Sequence, residues 1–330
     1  MSASSRNPDD VTRVAIIGAG GMAREHARAF RAVPGVQVAG IFGRTHARAE
    51  SLAAEFGIPS ICDSVAELYE KTHARLVVVA VSELSTRGIV DEARQFPWTL
   101  LLEKPPGYDL ADAEAIRAAL AASGRRAFVG MNRRFYGSTR AVTDDLNHID
   151  GPRLIAVRDQ EDPEEARAAG RPEQVVANWM YANSIHLIDF FRFLGRGTIE
   201  RVEPVVPYDP AAPRFVISTI TYSSGDVGLY EGIWNAPSPW VVSVTTAQKR
   251  WELRPIETAQ FQLRGERRLT PVAATAWDTD FKAGFRMQAE QAVRAARGEP
   301  SESITLDDAL LTMRLIARIF AQTPSDARLE

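Results

Sequence analysis

The stretch Val14-Ala-Ile-Ile-Gly-Ala-Gly-Gly-Met-Ala23 constrains the fold more than any other part of the chain. Four apolar residues form a strand-like run, stop at Gly18-Ala19-Gly20, and give way at once to an Ala/Arg-rich helical pattern. Such a junction gathers backbone N–H groups and the positive end of a helix dipole at one point, which suits a pyrophosphate. In this reading Gly18 allows the tight turn and Gly20 lets the phosphates approach the backbone. Ala23 is small enough for the helix to pack on the strand, and Ala19, Gly21 and Met22 complete the cradle. A lone G-x-G-x-x-A also closes ordinary strand–helix turns. Its place between a strand and a helix is what points to a dinucleotide.

The second strand, Val36–Phe42, ends about 20 residues on, where an acid would hold the adenosine ribose 2′-OH. No acid stands there. Gly43 leaves space, and Arg44, followed by Thr45, offers a planar fork suited to a 2′-phosphate, with His46 and Arg48 close behind. NADP(H) is therefore expected to be favoured over NAD(H). The competing reading makes Arg44 a solvated loop cation.

From residue 11 to about 131 the pattern alternates. Strands are predicted at 13–17, 36–42, 76–81, 98–102 and 127–131, with helices at 21–32, 45–56, 64–70, 85–94 and 109–122. Nearly all-apolar strands such as Leu76–Val81 are expected where helices cover both faces of a parallel sheet, and Val81 then closes its strand beside the nucleotide. The expected first domain, residues 1–131, is a doubly wound α/β unit with residues 1–10 as a flexible lead. After Asn132 come a helix at 138–146, a strand at Arg153–Arg158, a charged irregular segment to Glu173 and a helix at Asn183–Leu194. Strands at 199–206, 214–223, 227–235, 239–246, 250–254 and 259–264 follow without intervening helices, then helices at 279–296 and 306–322. This predicts a second domain, residues 132–330, of α+β type with a large, mostly antiparallel open sheet. The open face of that sheet needs cover, and Trp234, Trp240 and Trp251 are its candidates.

At 330 residues, 45% apolar and 25% charged, the chain is long enough for two cores. A net charge of −3 gives no reason to propose nucleic acid or an anionic membrane as partner. One cysteine, Cys62, cannot form an internal disulfide, and neither a signal-peptide core nor an 18-residue apolar run occurs, so the expected home is the cytoplasm. Five scattered histidines show no metal-ligand spacing, and no metal is expected.

The strand at 98–102 runs into Glu103-Lys104-Pro105-Pro106-Gly107, which places Lys104 at the carboxyl end of the sheet, where ligands bind. The glycine-rich opening, Glu103-Lys104-Pro105, Asn132-Arg133-Arg134 and Ser184-Ile-His186-Leu-Ile-Asp189 together resemble the Gfo/Idh/MocA family, in order and spacing over nearly the whole chain. The resemblance implies a Rossmann domain followed by a domain on a large open sheet, with the active site between them. It also implies hydride transfer at a carbinol or carbonyl carbon of a sugar, polyol or similar small molecule, and assembly as dimers or tetramers. Carried over, Lys104 matches the catalytic lysine and His186 the acid/base. Glu103 and Lys104 lie beside the nicotinamide ribose, and Asn132 near the nicotinamide end. Hydride transfer from an alcohol leaves a proton on oxygen that a base must take, and a nearby ammonium can stabilise the alkoxide.

One departure stands out. The family commonly carries an Asp four residues before this histidine, where this chain has Ala182, followed by Asn183 and Ser184. That keeps open two alternatives: a dinucleotide-binding sensor without catalysis, and an NAD-dependent glycoside cleavage without net redox change. Tyr181 and Trp179 could line a sugar-sized pocket or belong to the core, and Asn183 could orient the His186 ring. His26 is expected to pack against the sheet. Asp189 is expected to hold backbone or helix, and Gln160-Glu161-Asp162 reads as a solvated surface run.

Overall fold

The computed structural model describes residues 11–322, and the flexible lead expected at 1–10 lies outside them. In chain order the elements begin β1 (Thr12–Ile17), α1 (Gly21–Arg31), β2 (Val36–Phe42), α2 (His46–Phe56), β3 (Ser60–Cys62), α3 (Val65–Thr72), β4 (Leu76–Val79), α4 (Thr86–Ala93), β5 (Thr99–Leu102), α5 (Leu110–Ala122) and β6 (Ala127–Val129). There follow α6 (Gly137–Leu146), β7 (Leu154–Glu161), α7 (Pro163–Ala168), α8 (Glu173–Val176) and α9 (Ile185–Leu194), then strands β8 (Ile199–Val206), β9 (Phe215–Tyr222), β10 (Val227–Trp234), β11 (Val241–Thr245), β12 (Lys249–Leu253), β13 (Ala259–Leu263) and β14 (Thr270–Val272). Three helices end the order: α10 (Ala276–Thr279), α11 (Phe285–Arg297) and α12 (Leu306–Ile319).

Two compact units result. Among the described residues the first holds 11–107, Glu114–Gly130 and Phe285–Leu306, and the second Tyr108–Ala113, Met131–Gly284 and 307–322. The first unit carries a six-stranded parallel sheet in the order β3-β2-β1-β4-β5-β6, the doubly wound order in which a ligand crevice opens at the carboxyl ends of the strands. Its strands are apolar on both faces because helices cover both: Val14 to Ile17, Leu76 to Val79 and Leu100 to Leu102 are all buried.

The sequence division at residue 131 assigns 285–306 to the second domain. In the structure that segment belongs to the first unit. The buried side of α11, Phe285, Ala289, Ala292 and Val293, joins the core of Val14, Ile16, Phe30 and Leu101. The helix predicted over 279–296 begins only at Phe285, as α11, with the short α10 ending at Thr279, and the short edge strand β3 is an addition to the predicted set.

The second unit is built on an eight-stranded sheet, β14-β13-β12-β11-β7-β10-β9-β8, antiparallel except for the β7–β10 pair. Alternation along β9 and β10 buries Val216, Ser218, Ile220, Tyr222, Tyr230 and Trp234, the period-2 pattern of a sheet with one covered face. Helix α9 contributes to the cover, and Tyr222 donates its hydroxyl to Phe191 O at 2.8 Å. Trp234 packs its ring against Tyr208 and Phe320, and Trp251 lies against Phe261 while donating to Asp145 at 2.6 Å. These two tryptophans therefore do not cover the open face: strand parity puts them inside. The exposed large apolar residues of the sheet are instead Leu154, Val205, Val206, Phe215, Val227 and Leu263. Among the described residues no helix is long and apolar enough to cross a membrane.

Candidate functional site

In the first unit the turn after β1 has the geometry its glycines suggest. Gly18 sits at φ +120°, and a Cβ there would lie 2.0 Å from Ala80 O, so only glycine fits between β1 and the end of β4. Its N–H donates to Phe42 O at 2.7 Å, tying the turn to β2. Around a Cβ at Gly20 or Gly21, by contrast, there is no atom within 4 Å. The backbone at the N-terminus of α1 is thus open to a ligand, and the first turn of that helix has no acidic residue. Both features fit the pyrophosphate of a dinucleotide. Ala19 closes one side: a Cβ on Gly43 would stand 3.0 Å from its methyl. Met22 is exposed at the start of α1, and Val81 follows β4 in the same row of strand ends.

Arg44 and Thr45 lie exposed in the β2–α2 turn. Arg44 makes no hydrogen bond or ion pair with another described residue, so its fork is available. His46 is not: its ring nitrogens face Asp63 at 3.0 Å and Glu50 at 3.4 Å.

Glu103 and Lys104 follow β5, and the Lys104–Pro105 peptide bond is cis. The Glu103 N–H donates to Val79 O at 3.0 Å, which sets this residue beside the end of β4. Its carboxylate meets His26 Nε2 at 2.6 Å. Burial pushes the Glu103 carboxyl up, but the His26 hydrogen bond and charge, with the Lys104 charge and backbone N–H, outweigh it and hold it below the usual range. His26 is buried, as the sequence suggests, with its ring tilted on Phe285 at 4.9 Å. What the sequence does not reveal is that it joins helix α1 to the carboxyl end of β5.

The remaining candidates belong to the second unit. Asn132 is 4% exposed and donates its amide to Ala283 O at 3.0 Å. Tyr181 is a core residue: 2% exposed, with its hydroxyl donated to Gln322 at 2.6 Å. It lies in a π-helical turn, Met180–Ser184, directly before α9, and such turns are common at functional sites. Asp189 accepts both arms of the Arg134 fork at 2.7 Å and the Thr312 hydroxyl at 2.7 Å. It braces α9 rather than His186.

Asn183 and Trp240 line a cavity of about 280 Å³ together with Gln160, Asp162, Arg171 and Trp179. Trp240 donates to Gln160 O at 2.9 Å, carries the Arg133 guanidinium 5.0 Å from its ring centre, and has the His186 ring 6.5 Å away. The Trp179 indole N–H is buried without a partner. The supposed surface run Gln160-Glu161-Asp162 is only half exposed: β7 extends three residues past its predicted end, so Glu161 turns inward and is fully buried. A second cavity, of about 270 Å³, sits at the amino ends of β4 and β5 among Arg75, Arg125 and Arg126, away from the strand ends that hold the glycine turn. Among the described residues no cluster of His, Cys, Asp and Glu could hold a metal ion.

A six-stranded sheet in Rossmann order, with an open glycine turn and a lysine at a neighbouring strand end, has the form of a dinucleotide site. Residues 12–131 match the model of the GFO_IDH_MocA oxidoreductase family, NAD-binding Rossmann fold. A D-apiose dehydrogenase of Paraburkholderia graminis is 28% identical over 128 residues, 39% of this chain and about a third (34%) of that protein. Solved structures similar over nearly the whole chain include a dehydrogenase from Chromobacterium violaceum, with TM-score 0.81, 18% identity and 95% of each chain covered. Another is the aldose-aldose oxidoreductase from Caulobacter crescentus complexed with glycerol, with TM-score 0.77, 19% identity and coverage of 94% of this chain and 97% of that one. At such identities the likeness is one of fold.

Proposed function

We propose that the protein is an NAD(P)-dependent oxidoreductase that transfers hydride between nicotinamide and the carbinol or carbonyl carbon of a sugar, polyol or similar small molecule. The observation that carries this reading is the open backbone at Gly20 and Gly21 in a turn that only Gly18 permits, in the same row of strand ends as Glu103-Lys104. Gly18 to Met22 would hold the pyrophosphate, Arg44 and Thr45 the adenosine end, and Val81, Glu103 and Lys104 the nicotinamide half. When bound, the nicotinamide supplies the carbon that accepts or donates hydride. Lys104 would stabilise the developing alkoxide with its charge, and His186 would take or return the hydroxyl proton. Asn183 and the tryptophan-lined cavity of the second unit fit a small polyhydroxylated substrate, for which flat aromatic faces and a few fixed polar groups are the usual recognition chemistry. The D-apiose dehydrogenase relative supports a sugar as substrate.

Incubation with NADP+ or NAD+ and a panel of aldoses and polyols, following reduced nicotinamide, tests the reading. Absence of turnover with tight nucleotide binding would leave a sensor. We further propose a homo-oligomer that covers Phe215, Leu154 and Val227 on the open sheet face. A monomer mass by light scattering at micromolar concentration would refute it.

A further inference from the structure

Four inward positions of β7 follow one another in strand parity: Ile155, Val157, Asp159 and Glu161, the last two carboxyls fully buried. A buried carboxyl needs donors for its oxygens, or it gives up its charge. Asp159 receives the Tyr230 hydroxyl at 2.9 Å on Oδ2, while Oδ1 is buried and receives no conventional donor. Glu161 accepts Asn183 Nδ2 at 2.9 Å and Ser184 Oγ at 3.1 Å. The two carboxyls are neighbours on the buried face of one strand and act directly on each other. Carboxylates only accept, so a hydrogen bond between the two would contain a proton.

The groups that bear on the pair are few. The Arg133 guanidinium attracts both carboxylates, and Tyr230 faces them from β10. His186, two residues past Ser184 on α9, is the titratable side chain next in sequence to the residues that Glu161 holds. One buried arginine balances one negative charge, not two. Burial pushes both carboxyls up, and the Asp159 charge pushes Glu161 further.

We propose that Asp159 and Glu161 hold a single shared proton, and that Glu161 in its acid form is the positioning residue for the Asn183 amide on the cavity wall. The inference rests on the reading of that cavity as the substrate pocket. With its N–H committed to Glu161, Asn183 keeps its carbonyl oxygen for a ligand hydroxyl. Loss of the shared proton sets two buried carboxylates against each other, and their repulsion moves the Glu161 carboxylate and the Asn183 amide it holds out of place, so affinity for a neutral polyol falls as pH rises.

Glutamine is the isosteric test, because its carbonyl accepts from Asn183 while its amide donates to Asp159, whatever the pH. The intact chain and Glu161→Gln are compared in two measurements: the infrared band of a protonated carboxylic acid at neutral pH, and tryptophan-fluorescence titration with glycerol, D-glucose, D-xylose and myo-inositol at mildly acid and alkaline pH. The expected result is an acid band in the wild type that Glu161→Gln loses. Sugar affinity should be about ten-fold weaker at alkaline pH in the wild type and unchanged with pH in the variant. Parallel pH profiles would overturn the proposal, as would an acid band that is absent from the wild type or kept by Glu161→Gln. Should no sugar bind at any pH, the pocket reading fails, and the infrared result alone decides whether the pair shares a proton. Asp159→Asn, which also removes one of the two charges, serves the same comparison if Glu161→Gln does not fold.

Discussion

Glu103 after β5 is partly buried and Glu161 at the end of β7 fully so, and burial acts on both in the same direction, toward the neutral acid. Their neighbours then separate them. Glu103 meets a histidine ring nitrogen at 2.6 Å with a lysine next in the chain, and its carboxyl is drawn below the usual range. Glu161 meets a second carboxyl, an amide and a hydroxyl, and its carboxyl rises well above that range. The first unit thus keeps a fixed negative charge beside its candidate catalytic lysine, while the second keeps a proton beneath its cavity. Two glutamates at strand ends carry opposite chemistry because their partners differ in charge.

The largest expected effect lies next to the fixed charge. Lys104→Ala should lower kcat by about 10²–10⁴-fold, the usual range for a group acting on a proton or alkoxide in the transition state. His186→Ala should cost less, because Ala182 leaves its turn without the carboxylate family members commonly carry there. Paired kinetics on the sugar that proves to be a substrate, with nucleotide affinity measured separately, check the order. Near-native kcat in Lys104→Ala would remove the chemical meaning of the Glu103 side of the comparison.

Next comes the brace itself. His26→Leu leaves the Glu103 carboxylate with Lys104 but without its hydrogen-bonded partner. Leaving the partly buried carboxylate without that hydrogen bond costs about 1–3 kcal/mol, and the Lys104 charge keeps the expected loss to about 2 kcal/mol. Urea unfolding of the first unit, followed through amide exchange in α1 and β5, measures it. A loss below about 1 kcal/mol would mean that the pair is incidental to packing.

The parts legible in the sequence are those whose chemistry is local. The strand, the glycine turn and the helix after it are consecutive residues, and so are the strand end and Glu103-Lys104. The rest depends on partners far along the chain. His26 and Glu103 are 77 residues apart, and nothing in either segment announces the other. The return of α11 to the first unit is a matter of which apolar face it meets, which an amphipathic pattern does not specify. Glu161 was readable in principle. Ile155 and Val157 set the inward parity of β7, and continuing it two steps reaches Asp159 and Glu161; three charged residues among Asp159 to Asp162 hide that continuation. The tryptophans misled for the same reason. Their size suggested an interface, whereas strand parity at Trp234 and Trp251 places both indoles in the core.

A smaller effect separates the adenosine end from both glutamates. Arg44→Ala should weaken NADP(H) by about ten-fold and leave NAD(H) unchanged, since a charged, solvent-exposed hydrogen bond to a phosphate contributes about 1.5 kcal/mol. Calorimetric titration with both nucleotides checks it. Equal affinities in the wild type would overturn the NADP preference while leaving the glycine turn and Glu103 as they are.

The smallest expected effect at neutral pH tests the comparison most directly. Glu161→Gln keeps the shape and both hydrogen-bond directions of the acid form, so stability should change by less than about 1 kcal/mol. Its pH dependence carries the information. The folded carboxyl lies above its ordinary value near 4.5, so the stability from the acid form is fully present below that value. It is lost as pH rises and the unfolded chain ionises while the folded chain resists. The wild type should therefore lose stability relative to Glu161→Gln as pH climbs from about 4.5. Glu103 lies below the same ordinary value, so its contribution is present above about 4.5 and lost as pH falls through the folded value. Wild type minus Glu103→Gln should then gain stability with rising pH. Denaturant midpoints of the three proteins across the acid-to-neutral range give two difference curves. Opposite slopes support the assignment of a fixed charge to one glutamate and a proton to the other; slopes of the same sign would mean that partner chemistry does not separate them.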